Sequence, residues 1–141
     1  MPRSALVSAV PAASFSRMPA PTSLWLRLEG VIVFVATLLA YQYFALPWRW
    51  FLFCFLIPDL SMLAYFIGPR IGAWIYNLAH TYAIAVGVLI IGLTTEHWTV
   101  FATGLIHCSH IAFDRALGYG LKLPEGFKHT HLGLIGRASR K

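Results

Sequence analysis

Three of the five acids in this 141-residue chain, Glu29, Asp59 and Asp114, lie inside long apolar runs, as do His80, His107 and His110. An ionised acid at the centre of a membrane helix costs about 2.5–3.5 kcal/mol. Groups of this kind persist where they meet a partner or carry chemistry. His107, His110 and Asp114 stand at i, i+3 and i+7, one face of a helix. Asn77 and His80 share a face, with Tyr76 and Thr81 flanking. Pro58 immediately precedes Asp59. A proline inside a span frees a backbone carbonyl and kinks the rod, which opens space beside the carboxylate. Carboxylates and imidazoles converging from several helices hold divalent transition metals such as zinc, iron or manganese. The expected ligands are Asp59, His80, His110 and Asp114, with His129 and His131 from the tail segment "KHTH". Asn77, Tyr76, Arg70 and Arg115 are the expected supporting polar groups. Glu29 and Asp114 are the expected catalytic carboxylates, taking a proton from an activated water.

Two other chemistries fit the same residues. One is a metal-free network, with Asp59 paired to Arg70 or His80 and Asp114 paired to Arg27 or Arg115. The other is a proton relay through Asp, Glu and His. Cys54 and Cys108 both sit in apolar surroundings, where a thiol is inert. Neither "GYG" nor "LGLIG" follows a strand, so neither reads as a phosphate loop. The aromatics Trp50, Phe51, Phe53 and Phe55 surround their helix and read as lipid-facing.

The elements that must position these groups are membrane helices. Hydrophobic residues make up 58% of the chain and charged residues 11%, against about a quarter charged in a soluble domain; the mean hydropathy is +0.68. Four apolar blocks, at about residues 24–44, 48–67, 71–94 and 98–117, each approach the ~20 residues that cross a bilayer. Tryptophans 25, 48, 50, 74 and 98 gather at block ends, as interfacial belts do. The links "ALP", "GPR" and "TEH" are short, so consecutive helices run antiparallel. Blocks of this length without period-2 alternation exclude a barrel. The fold expected is all-α, a four-helix transmembrane bundle.

Net charge is +6. Of the Lys and Arg residues, only Arg49 falls on the far side of a four-helix topology. The positive-inside rule then places both termini in the cytoplasm or its equivalent. No basic run interleaved with aromatics marks a nucleic-acid groove. Residues 1–22 are rich in Ser, Ala and Pro and contain no acid, which predicts a disordered tail or an organelle transit segment. Residues 23–141 form the membrane domain. The glycines after residue 117 let the histidine-bearing C-terminal tail fold back under the bundle. A bundle this small leaves faces that a second copy could fill as a homodimer.

The segments "PDLSM", "GPRIGAWIYNLAHTY", "HIAFDRALGYGLK" and "GFKHTHLG" resemble a family of small, mostly bacterial integral membrane proteins, domain of unknown function 4260. The resemblance covers about residues 24–136. It implies a multi-span membrane protein and carries no activity with it. The family-typical positions matched are Glu29, Asp59, Asn77, His80, His110, Asp114, Arg115, His129 and His131. The function expected is a metal-dependent membrane hydrolase or oxidase acting on a lipid or other hydrophobic substrate, in a bacterial inner membrane or an organelle membrane. The alternatives are a proton-coupled carrier and a structural or assembly protein.

Overall fold

The computed structural model describes residues 20–124, 126–130 and 132–134. Most of the tail expected at 1–22 lies outside these residues, and so does His131. The elements run α1 (Ala20–Tyr43), α2 (Trp48–Cys54), a 3₁₀ helix (Pro58–Phe66), α3 (Pro69–Ala79), α4 (Tyr82–Thr94) and α5 (Trp98–Leu117). Three short strands follow: β1 (Lys122–Leu123), β2 (Gly126–Thr130) and β3 (Gly133–Leu134). Together the helices make four rods. Three of these, Thr22–Tyr43, Trp48–Phe66 and Pro69–Thr94, are long and apolar enough to cross a membrane.

The fourth rod, α5, is the hub. It packs against α1 on one flank and α4 on the other, and it contributes ten buried residues between Phe101 and Ala112. Lipid tails are as apolar as leucine, so close backbone approach and dispersion must hold such rods together. Gly30 of α1 supplies one approach: a Cβ there would lie 2.6 Å from the Ala116 backbone nitrogen. Gly104 of α5 supplies another, since its Cβ would lie 2.5 Å from the Leu89 backbone on α4.

Two rods expected to be continuous are broken. The second stops being α-helical before Pro58, which has no N–H to give. Beyond that point the backbone bonds are i to i−3: Asp59 donates to Leu56 (3.2 Å) and Leu60 to Ile57 (3.0 Å). The third rod breaks at His80 and Thr81 although neither Gly nor Pro is present. His80 ends α3 at φ −110°, ψ 24°. Thr81 is extended and caps α4, its hydroxyl accepting from the Ala83 N–H at 3.4 Å. The break exposes the carbonyls of Ala79 and His80, and α5 satisfies both. His107 Nε2 donates to Ala79 O, and Arg115 Nη2 donates to His80 O at 3.3 Å.

After α5 the chain forms a small antiparallel sheet in the order β1-β2-β3, an addition to the all-helical architecture expected. Lys122 pairs with Thr130, and Thr130 with Gly133. Asn77 clamps this sheet to α3. Its Nδ2 donates to Lys122 O at 2.8 Å, and Lys122 N donates to its Oδ1 at 2.7 Å. One side-chain amide thus replaces a strand partner for β1.

Candidate metal centre

Each break in a rod delivers one ligand-type group. Asp59 follows Pro58 at the start of the 3₁₀ helix, and His80 sits at the joint between α3 and α4. From α5 come His110 and, a turn later, Asp114. The four side chains each offer one N or O atom, all within 4.8 Å of one another. The individual separations are 3.2 Å between the two Nε2 atoms, 3.5 Å from Asp59 Oδ1 to each Nε2 and 3.6 Å from Asp114 Oδ2 to His80 Nε2.

Proton placement follows from the partners. His80 Nδ1 lies 2.9 Å from Tyr76 O, and a carbonyl can only accept. Nδ1 therefore carries the proton, and Nε2 of the neutral ring presents a lone pair to the cluster. The ring is also stacked under Tyr76, with centroids 3.7 Å apart, while the Tyr76 hydroxyl donates to Asp114 Oδ2 at 3.2 Å. Tyr76 thus orients one imidazole through its carbonyl and one carboxylate through its hydroxyl. His110 is held edge-on by Phe55, centroids 5.3 Å apart.

A spacing of this size serves either a bound cation or a polar network of ion pairs and hydrogen bonds. A tetrahedral ion with ligands at about 2.0–2.1 Å sets those ligands about 3.3 Å apart. Four of the six pairs, at 3.2–3.6 Å, lie near such edges, and all four atoms lie within 4.8 Å of one another. The carboxylate–imidazole contacts of 3.5–3.6 Å are at ion-pair distance, as a polar network also requires. Two carboxylates at one site call for a compensating positive charge, which a divalent cation or a protonated imidazole would supply. The group could hold a metal.

A profile of the domain of unknown function (DUF4260) matches residues 23–135. The chain belongs to the DUF4260 family. No curated protein and no solved structure matches it.

In this DUF4260 chain the cluster forms one wall of a cavity of about 390 Å³, lined on that side by Asp59, His110 and Asp114. The histidine side chains are 2% exposed, while Asp59 and Asp114 are 32% and 14% exposed. The imidazoles therefore form the back of the site and the carboxylates its open face. Phe55 and Phe113 line the cavity, so Phe55, expected to face lipid, faces the site. Phe53 and Trp50 are exposed, as expected of lipid-facing side chains.

The other expected site residues lie elsewhere. Glu29 is exposed and lines a separate cavity of about 210 Å³ with Arg115 and Tyr82. It is outside the four-residue group. His129 is half-buried on β2 and outside the four-residue group. Arg70 is exposed at the start of α3, and Asp59 pairs with His80 and His110. Arg115 turns from the adjacent acid to backbone carbonyls, including Tyr119 O at 3.0 Å, and Arg27 lies against Gly118 past the end of α5.

Sequence reasoning missed Lys122, reading it only as topological charge. Its residue is 3% exposed, and it lines the same cavity as Asp59, His110 and Asp114. The ammonium sits 4.0 Å from the Phe127 ring centroid and 5.1 Å from that of Tyr76. Among the described residues no carboxylate lies within ion-pair distance of it. Burial pushes its pKa down, and the carboxylates of Asp114 and Asp59 act against that shift.

Proposed function

We propose that this protein is a metal-dependent membrane enzyme, a hydrolase or oxidase, whose substrate is a lipid or other hydrophobic molecule. The observation that carries the reading is the convergence of two imidazole nitrogens and two carboxylates within 4.8 Å of one another, three of the four residues lining a largely apolar cavity. A bound zinc, iron or manganese ion would supply Lewis-acid or redox chemistry there. Asp114, oriented by Tyr76, and the more exposed Asp59 face the space a substrate would occupy and are the groups placed to accept a proton.

The burial pattern of α5 favours an enzyme over a carrier. Its N-terminal half buries the apolar side chains Phe101, Ala102, Leu105 and Ile106, which supply no polar group to a transport path. The basic residues favour cytoplasmic termini, in a bacterial inner membrane or an organelle membrane.

Elemental analysis of the detergent-purified protein tests the reading. Near-stoichiometric metal in the parent chain and its loss in His110→Ala are the expected results. Metal-free protein that binds no added divalent ion would overturn the proposal.

A further inference from the structure

We propose that Lys122 makes the cavity selective for amphiphiles that carry an anionic oxygen group, a phosphate or carboxylate, on an apolar chain. The inference rests on the metal-site reading in one respect: it takes the two carboxylates as neutralised by a divalent ion. Lys122 is then the charge left over. It is almost wholly buried, its ammonium is bounded by the faces of Phe127 and Tyr76, and it lines the same cavity as Asp59, His110 and Asp114. Ring faces replace only part of the hydration a buried ammonium loses. An anion entering the cavity supplies the rest.

The remaining walls select the body of the ligand. Leu56, Met62, Phe113 and Leu117 offer apolar surface, and a volume of about 390 Å³ falls within the range of about 300–1,000 Å³ that holds a small organic ligand. A head group and the first part of a chain therefore fit together. The placement of Lys122 is also enforced: Asn77 fixes its backbone from one turn before His80, which ties the cation to the element that carries a ligand.

Binding of radiolabelled dodecyl phosphate to the purified protein in maltoside micelles tests this, with dodecanol and inorganic phosphate as competitors and metal content measured on the same samples. Dodecyl phosphate should bind about tenfold or more tighter than dodecanol, as expected for a hydrogen bond to a charged group. Lys122→Met should bring the two within about twofold, and Lys122→Arg should keep most of the preference. Equal binding of dodecyl phosphate and dodecanol by the parent protein, which needs no variant, would overturn the proposal. So would inorganic phosphate competing as well as the alkyl phosphate, since the apolar walls would then contribute nothing. Metal present without anion preference refutes the role of Lys122 and leaves the metal reading standing. Anion preference lost in Lys122→Met without any metal supports Lys122 and refutes the metal reading.

Discussion

His80 Nε2 and His110 Nε2 face each other at 3.2 Å, brought from two rods 30 residues apart in sequence. With Nδ1 of His80 committed to Tyr76 O, its inward nitrogen has no proton of its own in the neutral ring. A cation seated between the two nitrogens and the carboxylates of Asp59 and Asp114 would bind the folded state alone, because the four groups come from separate segments. Adding zinc or manganese to chelator-treated protein should therefore raise the thermal unfolding temperature. The gain is about 2.7 kcal/mol when the ion is at a hundred times its Kd. The same addition should leave the melting curve of a His80→Ala, His110→Ala double variant unmoved.

His107 and His110 lie on the same helix but serve different ends. His107 satisfies the Ala79 carbonyl freed by the break in the third rod. His107→Ala should keep its metal and lose stability, by about 1–3 kcal/mol for a buried acceptor left unpaired. His110→Ala should lose its metal. Elemental analysis and thermal unfolding, run in parallel on the two variants, separate the roles.

Asn77 holds Lys122 through two backbone hydrogen bonds. Asn77→Ala should release β1 from α3, with faster hydrogen exchange at the Lys122 amide and a loss of about 1–3 kcal/mol. Asn77→Asp keeps the acceptor for Lys122 N and loses the donor to Lys122 O, so its exchange rate should fall between the two.

Gly104 is where α5 meets α4 backbone to backbone. Gly104→Val puts a branched side chain where even a Cβ is too close, and overpacking of this kind costs about 1–3 kcal/mol or more. A lowered melting temperature in detergent, with Gly87→Ala as the control where a Cβ meets open space, checks it.

Glu29 lines a cavity separate from that of the cluster, together with Arg115. Glu29→Gln should retain the metal content of the parent protein, whereas Asp59→Asn and Asp114→Asn should each lower it.

Residue type and depth made much of this legible. Asp59, His80, His110 and Asp114 are costly in lipid, and their positions along four antiparallel rods put them at one level, where they meet. Pro58 announced the distortion in the second rod. The break at His80 carried no such signal, since it arises from tertiary bonding: the carbonyls it frees are satisfied by His107 and Arg115, 28 and 35 residues away. Depth does not specify azimuth, and Glu29, expected at the cluster, lines a different cavity. Lys122 was hidden for a related reason. Its burial depends on a clamp from Asn77, 45 residues distant, and a lysine just past a membrane helix otherwise reads as an anchor in the headgroups.

The joint at His80 and Thr81 divides the third rod into two arms, and its pivot is itself one of the four converging groups. Asn77, one turn before that joint, holds the strand bearing Lys122, so the end of a single helix sets the place of both a converging imidazole and the buried ammonium.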